Sequence, residues 1–93
     1  MNGDKTANLG VETQEIKIYP NPAKEDVSIS YTLNTSNARV EIYDLSGRAI
    51  SQYVLLSAKG ELQLNNSSYQ AGIYIVVVKD NNTELKQQKL IIE

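Results

Sequence analysis

The sequence contains no cysteine and no histidine, and it also lacks tryptophan and phenylalanine. Without cysteine, the chain has no disulfide, no thiolate metal site and no redox pair. Without histidine, it lacks the commonest general base and the side chain that changes charge near neutral pH. Nucleophilic machinery of the Ser-His-Asp and Cys-His kinds is therefore excluded within this chain. We expect no enzyme activity, no cofactor and no metal site.

A large excess of charge of one sign is also missing. Nine basic and eleven acidic residues give a net charge of −2. Because nucleic-acid binding requires a basic stripe, we expect no nucleic-acid partner. The longest apolar run, residues 73–78, has the length of a strand and is far shorter than the ~18 residues of a membrane-spanning helix. At 93 residues the chain is expected to form one domain with a thin core.

The start of the chain differs in composition from the remainder. Residues 1–15 are mostly small and polar and show no hydrophobic periodicity, and no signal peptide follows Met1. We interpret residues 1–15 as a flexible linker or an added tail, and residues 16–93 as the folded domain. The missing signal peptide fits a cytosolic protein, or a domain whose targeting signal lies upstream.

Strand-forming residues dominate the chain, in which valine and isoleucine together number sixteen. Apolar and polar residues alternate without a fault over residues 27–33, and shorter runs of the same kind recur along the chain. The continuous apolar run 73–78 predicts a central strand that is covered on both faces. Turn-forming residues separate seven such runs. The pattern predicts an all-β fold, a seven-stranded immunoglobulin-like antiparallel β-sandwich.

A tyrosine near the penultimate strand supports this fold. Gly72 precedes Tyr74 by two residues at the start of the run. This arrangement is typical of the tyrosine corner of immunoglobulin-like sandwiches, in which the phenol bonds back to the backbone. The cysteines and tryptophan of true immunoglobulin domains are absent, so the likeness is one of architecture.

Three polar groups allow a chemical interpretation, but each has a simpler alternative. Residues 80–84 have alternating side chains with oxygen ligands, as in a calcium-binding loop. They lack the glycine and the distant glutamate of such a loop, which favours a hairpin turn. The adjacent carboxylates of Glu25 and Asp26 point to opposite sides of an extended chain, which favours a solvated surface over an acid–base pair. Ser57 and Lys59 fit a nucleophile pair, but no oxyanion hole is evident nearby.

The segment 44–48 predicts a tight turn between two strands. Gly47 can take positive φ there, and Arg48 can pair with Asp44 across the turn. An exposed ion pair of this kind contributes only about 0–1 kcal/mol to stability. A stiffened hairpin and recognition by a partner are the two interpretations of this turn.

Four motifs occur in a fixed order along the chain. They are Tyr-Pro-Asn-Pro at 19–22, Ile-Tyr-Asp-x-x-Gly-Arg at 42–48, Gly-x-Tyr at 72–74, and a lysine followed by aliphatic residues at 89–93. In this order they resemble the type A C-terminal sorting domain of the type IX secretion system, also called the Por secretion system, of Gram-negative Bacteroidota. The resemblance spans residues 16–93. Glu93 departs from it, because such domains more often end on a basic or apolar residue.

The resemblance implies an address label for a cargo domain that lies N-terminal to it. Such cargo passes through the periplasm and is recognised by shuttle components and by the type IX translocon in the outer membrane. It then remains on the outer-membrane surface or is secreted, and a sortase-like surface protease typically removes the label. The resemblance implies these partners for this chain, and its oligomeric state stays open.

Two segments are the main candidates for a recognised surface. The Pro-Asn-Pro segment fixes φ at two positions and removes two N–H donors, so it forms either a rigid recognised element or a turn that protects a sheet edge. The last strand offers backbone groups for strand addition if it is an edge, or it only fills the core with Leu90 and Ile92. Together with the turn and the tyrosine corner, the candidate recognition residues are Pro20, Asn21, Pro22, Asp44, Gly47, Arg48, Gly72, Tyr74, Lys89, Leu90, Ile91, Ile92 and Glu93.

A second interpretation stands beside the sorting domain. The chain would then be an immunoglobulin-like adhesion module, or a carbohydrate-associated accessory module of a cell-surface enzyme. Such a module requires an exposed aromatic platform, for which Tyr43 and Tyr53 are the candidates. A flat, exposed pair of these two rings would favour this interpretation.

Overall fold

The computed structural model describes residues 14–65 and 69–93. This part of the chain forms seven strands: β1 (Glu15–Tyr19), β2 (Val27–Thr32), β3 (Ala38–Tyr43), β4 (Ala49–Val54), β5 (Lys59–Leu64), β6 (Gly72–Asp80) and β7 (Thr83–Ile92). The predicted number of strands is confirmed. No helix long and apolar enough to cross a membrane occurs in the described ranges. Residues 1–13 of the expected linker lie outside the described residues, and Glu15 already belongs to β1.

The strands form two antiparallel sheets. The first sheet has the order β1-β2-β5, and the second has the order β4-β3-β6-β7. The chain changes sheet after β2, after β4 and after β5, so the two layers are built together. Three strands packed on four in this order form an immunoglobulin-like sandwich, which confirms the predicted fold.

The core lies between the sheets and takes alternate residues from the strands. In β2 the residues Val27, Ile29 and Tyr31 are buried and the residues between them are half-buried. Strand geometry points successive side chains to opposite faces, so the alternation in the sequence becomes an inside and an outside. The core cluster consists of Ile18, Ala23, Val27, Ile29, Tyr31, Leu33, Ala38, Val40, Ile42, Leu55, Leu64, Tyr74, Val76, Val78, Leu90 and Ile92.

Strand β6 is central in the second sheet, but the expectation that both its faces are covered is only partly right. Val76 and Val78 face the core, whereas Ile73 lies on the outer face and is 39% exposed. Val77 also lies on the outer face, and it is buried although it is not part of the core cluster. A two-layer sandwich has no third layer to cover this face, so the shielding of Val77 comes from side chains of its own sheet.

Because consecutive strands run in opposite directions, the connections divide between the two ends of the sandwich. The β1–β2, β3–β4 and β5–β6 connections lie at one end together with residues 89–93. The other three connections lie at the opposite end. Two hydrogen bonds link neighbouring segments at that end: Leu33 N–H donates to Ala58 O (2.7 Å) and Asn34 N–H donates to Gln14 Oε1 (3.2 Å). Gln14, which leads into β1, therefore marks the end at which the chain enters.

The polar segment 80–84 is a hairpin turn, as the simpler interpretation predicted. Asp80 pairs with Thr83, which leaves two residues in the loop between β6 and β7. Asn81 takes φ of +55°, a conformation that asparagine tolerates better than most residues.

Candidate recognition surface

The chain leaves the first sheet after β1 and pairs with the end of β7. Ala23 N–H donates to Ile91 O (2.8 Å) and Glu93 N–H donates to Ala23 O (2.8 Å), which makes a short parallel bridge. The side chain of Asn21 adds two more bonds: its Nδ2 donates to Lys89 O (2.8 Å) and its Oδ1 accepts from Ile91 N–H (3.0 Å). We call residues 20–23 and 89–93 together the terminal seam.

The Asn21 side chain replaces a backbone peptide group in this ladder. In a parallel pair, a residue donates to one partner residue and accepts from the residue two positions later. Ala23 does this with Ile91 and Glu93. Asn21 repeats the pattern one step earlier, on Lys89 and Ile91, with a planar amide that carries both a donor and an acceptor. The seam therefore requires an amide of this length at position 21.

The prolines of the seam flank Asn21 and remain exposed. Their peptide bonds to Tyr19 and Asn21 are both cis. Since proline has no N–H, Pro20 and Pro22 add no donor along the edge that the segment covers. This agrees with the edge-protecting interpretation, and the exposed rings still offer a surface to a partner.

The residues of the last strand divide into core and edge. Leu90 and Ile92 are 0% and 4% exposed, so they fill the core. On the outer edge of β7, Lys89 O accepts a bond from Asn21 Nδ2 and Ile91 O accepts one from Ala23 N–H. Ile91 N–H in turn donates to Asn21 Oδ1. Much of the backbone that strand addition would use at this end of β7 is therefore already bonded within the chain.

The turn between β3 and β4 is organised around one carboxylate. Asp44 Oδ1 accepts bonds from Ser46 Oγ (2.6 Å), Ser46 N–H (3.0 Å) and Arg48 N–H (3.1 Å), and its Oδ2 lies 3.3 Å from Arg48 Nη2. Gly47 takes φ of +90°, as the sequence predicts. The Ser46 hydroxyl, followed by the Arg48 N–H, lowers the pKa of Asp44. The guanidinium of Arg48 stays exposed at 77% and is held in place by Asp44.

The tyrosine corner is present at the start of β6. Tyr74 Oη donates to Gln70 O at 2.6 Å, and Gly72 between them takes φ of +158°. The ring of Tyr69 stacks on Tyr74 with centroids 5.6 Å apart. Tyr69 Oη also shares a 2.7 Å hydrogen bond with Ser51 Oγ of β4. Burial raises the pKa of Tyr69 to about 12.

The folded chain brings the four motif segments together. A cleft of about 520 Å³ is lined by Asp44 and Arg48 of the turn and by Tyr69 and Tyr74 of the corner. A second cleft of about 530 Å³ is lined by Pro20 and Pro22 together with Glu93 and the acidic residues 25–26. A depression of about 380 Å³ between them shares Tyr69 with the first cleft and Glu93 with the second. We call residues 20–26, 44–48, 69–74 and 89–93 the motif end.

Comparison with known proteins decides the family. The sequence model of the secretion system C-terminal sorting domain matches residues 17–93. The chain belongs to this family. The sequence-based resemblance to the type IX sorting domain is thereby confirmed.

Two curated relatives contain a segment similar to this sorting domain. One is an ulvan lyase of Nonlabens ulvanivorans, 29% identical over 92 residues, which cover 95% of this chain and 17% of that protein. The other is an endo-acting ulvan lyase of Formosa agariphila, 30% identical over 80 residues, which cover 85% of this chain and 15% of that protein. The sorting domain thus spans about a sixth of the length of these relatives.

Family membership establishes the general role of the chain. It is a C-terminal sorting domain of a cargo protein that uses type IX secretion, and the cargo is exported to the cell surface or secreted. The matched segment is a sorting tail, and the cargo lies N-terminal to it.

The aromatic platform of the alternative interpretation is not formed. Tyr53 lies opposite Val40 on the inner face of the second sheet, whereas Tyr43 lies on the outer face with Glu41. The hydroxyl of Tyr43 donates to Glu41 Oε1 at 2.7 Å, and the hydroxyl of Tyr53 lies 3.4 Å from that of Tyr69. The two rings are half-buried on opposite faces, so they cannot form a flat pair.

The other polar groups considered in the sequence either stabilise a turn or lie exposed at the motif end. Ser57 Oγ donates to Lys59 O at 2.9 Å, so the serine stabilises its own turn. Glu25 and Asp26 are exposed, and both line the cleft beside the two prolines. They contribute negative charge to the motif end.

Three important residues of the structure are not among the candidates that the sequence predicts. Ala23 is completely buried in the seam, where its backbone makes both bonds of the bridge to β7. Tyr69 connects the tyrosine corner to β4. Both carry weak signals in the sequence, because a single alanine or tyrosine in a polar loop has no periodicity.

The third missed residue is Glu41, on the outer face of the second sheet. Its carboxylate is only 10% exposed and binds Arg39 Nε at 2.7 Å and Lys79 Nζ at 3.3 Å. Tyr43 Oη donates a further bond. The bond from Arg39, followed by that from Tyr43, lowers the pKa of Glu41 to about 2. Alternation along β3 puts Glu41 on the outer face, and the register between β3 and β6 brings Lys79 to it.

Proposed function

We propose that the motif end is the surface by which type IX shuttle components and the outer-membrane translocon recognise the folded sorting domain in the periplasm. The observation that carries this proposal is the convergence of four separate sequence motifs at one end of the sandwich, opposite the end at which the chain enters. A cargo attached before β1 would leave this end uncovered. The tail itself performs no catalysis in this proposal, since it acts by presenting a surface.

The residues before β1 serve, in this proposal, as the linker to the cargo. A sortase-like surface protease would cut within them, because their small and polar sequence is typical of the segments between domains at which proteases cut. After the cut, the cargo would be anchored at the surface or released.

The test is a fusion of the whole chain to a periplasmic reporter in a strain with an active type IX system. We expect the reporter at the cell surface or in the medium, and in the periplasm when the translocon is deleted. Arg48→Ala should reduce export without unfolding the domain, because its pair with Asp44 is exposed and contributes about 0–1 kcal/mol.

Lys17→Ala is the matched control, since Lys17 is exposed and makes one loose ion pair with Glu15 on the first sheet. Retention of the unmodified fusion in a strain that exports its own cargo would refute the proposed function. Normal export of the Arg48 variant would leave the function intact and remove the turn from the recognised surface.

A further inference from the structure

The outer face of the second sheet differs in character along its length. Next to the motif end it carries a tyrosine and three isoleucines: Tyr43 of β3, Ile73 and Ile75 of β6, and Ile91 of β7. Tyr43 pairs with Ile75, and Ile73 pairs with Ile91, so the four side chains lie in two adjacent rows. We call these four residues the outer patch.

Farther from the motif end, the same face is charged. It carries Arg39, Glu41 and Lys79, which form the ion pairs described above. Val54 lies on this half of the face too, opposite Arg39, and is 62% exposed. The outer patch is therefore a local group of apolar side chains and not a property of the whole face.

Folding does not explain the outer patch. A two-layer sandwich has no third layer to bury this face, and the solvated face of an antiparallel sheet normally carries polar residues. The first sheet follows this rule, since its outer face has Lys17, Ser30 and Glu61 in one row. Ile73 remains 39% exposed and makes no part of the core cluster. Apolar side chains grouped on one solvated face are typical of an interaction site.

The position of the outer patch indicates what covers it. Ile73 and Ile91 belong to the motif end itself, and Tyr43 directly precedes the turn at Asp44. The patch and the motif end are therefore one continuous surface, which passes from the end of the sandwich onto the outer face of the second sheet. A partner that binds the motif end can cover the patch with the same contact.

Lys89 adds a charge at the rim of the patch. It lies opposite Ile75 on β7, the edge strand of this sheet, and its side chain is exposed. The ion pairs among the described residues do not include it. We propose that the outer patch binds apolar side chains of the partner that recognises the motif end, with a carboxylate of that partner beside Lys89. This inference rests on the proposed function and names the chemistry of the partner surface.

A second copy of the chain fits the patch less well. Three of the four side chains are half-buried, so together they expose far less than the roughly 800 Å² per partner of a stable interface. A dimer would have to extend over the motif end to reach that area. It would then hide the surface on which the proposed function depends, whereas an export partner has no such conflict.

The test is the Ile73→Thr variant in the reporter fusion. Threonine is β-branched and suits a strand, and Ile73 lies outside the core cluster, so the domain should still fold. We expect export to fall by about tenfold, the effect of losing one apolar contact that a partner buries. Val54→Thr is the matched control, because Val54 lies on the same face, is more exposed and is remote from the motif end. It should be exported normally.

Substitutions of Lys89 test the charge at the rim. Lys89→Glu should reduce export because it repels the carboxylate of the partner, and Lys89→Arg should not. Both variants keep the backbone carbonyl that bonds to Asn21. This pair decides the matter if thermal unfolding shows that Ile73→Thr does not fold.

Normal export of a folded Ile73→Thr, an equal loss in Val54→Thr, or equal export of the two Lys89 variants would overturn the inference while the unmodified fusion still supports the proposed function. Failure of the unmodified fusion would reject both. A dimer of the purified chain that sedimentation detects and Ile73→Thr abolishes would overturn the inference by showing that a second copy covers the patch. Binding to vesicles of phosphatidylethanolamine and phosphatidylglycerol that the same variant abolishes would overturn it in favour of a lipid surface.

Discussion

At the scale of single residues, Asn21 has the most specific role in the terminal seam. Its amide donates to one backbone group of β7 and accepts from another. A carboxylate of the same size has two acceptors and no donor. The residue type at this position is therefore fixed by hydrogen-bond geometry and not by burial.

We predict that Asn21→Asp lowers the free energy of unfolding by about 0.5–1.5 kcal/mol, the net contribution of one hydrogen bond, because the seam is exposed and water can reach the carbonyl that loses its donor. The Lys89 carbonyl would lose its donor and face a negative charge. Chemical denaturation near neutral pH measures this change. Asn34→Asp is the control, because the Asn34 side chain is exposed and its backbone alone makes the bond to Gln14. Equal stability of the two variants would contradict this account of the seam.

Glu41 gives the domain a predictable dependence on pH. The pKa of Glu41 is about 2 in the folded chain, whereas the same carboxyl group without its partners has a pKa of 4.5. A carboxyl group whose pKa is lowered by folding contributes stability above its unfolded pKa, and that stability is lost as the pH falls through its folded pKa. We expect the free energy of unfolding to fall between about pH 4.5 and about pH 2.

The Glu41→Gln variant should lack most of this pH dependence. Urea denaturation at a series of pH values across that window measures it, with Glu25→Gln as an exposed control. If unfolding of the Glu41→Gln variant varies with pH as steeply as that of the unmodified chain, Glu41 is not the group responsible.

At the scale of elements, the β3–β4 hairpin depends on one glycine. Gly47 takes φ of +90°, and a Cβ added there would meet nothing within 4 Å. A substitution therefore strains the backbone without causing a collision. We predict that Gly47→Ala destabilises the domain by about 1–3 kcal/mol. Thermal unfolding should show a lower midpoint than for Leu45→Ala, an exposed change in the same turn. Similar midpoints would argue against backbone strain at this glycine.

The strands themselves were predictable from the sequence. The alternation of apolar and polar residues over 27–33 reflects one buried face and one solvent-facing side, which is a local property of an extended chain. The Asp44 turn was predictable for the same reason, because its bonds join residues within five positions. The apolar outer face of β6 was misjudged, since a continuous apolar run does not reveal how many layers the fold has.

At the scale of the whole molecule, the two ends of the domain stabilise each other. Residues 89–93 place Leu90 and Ile92 in the core and complete the seam with residues 20–23. Each large core side chain contributes about 2–5 kcal/mol, in a domain whose total stability is about 5–15 kcal/mol. A truncation at this end is therefore expected to unfold the domain, whether or not a partner also recognises these residues.

We predict that deletion of residues 89–93 abolishes export because the domain loses its cooperative unfolding transition. Circular dichroism of the purified variant, beside the reporter assay, checks this. Lys89→Ala separates the two effects, because it removes an exposed side chain and keeps the backbone of the seam. A deletion variant that melts cooperatively and is still not exported would show that these residues are recognised directly.

The sequence alone determined the β-sandwich, the turn at Asp44, the tyrosine corner and the sorting-domain family, because alternation, turn chemistry and short motifs are encoded by neighbouring residues. The tertiary structure decided which edges are open and which motifs meet. Asn21 and Lys89 are far apart in the chain, and they meet because β1 and β7 lie at neighbouring edges of the two sheets. Strand order and register set such contacts, and they depend on how the sheets stack to bury a common core.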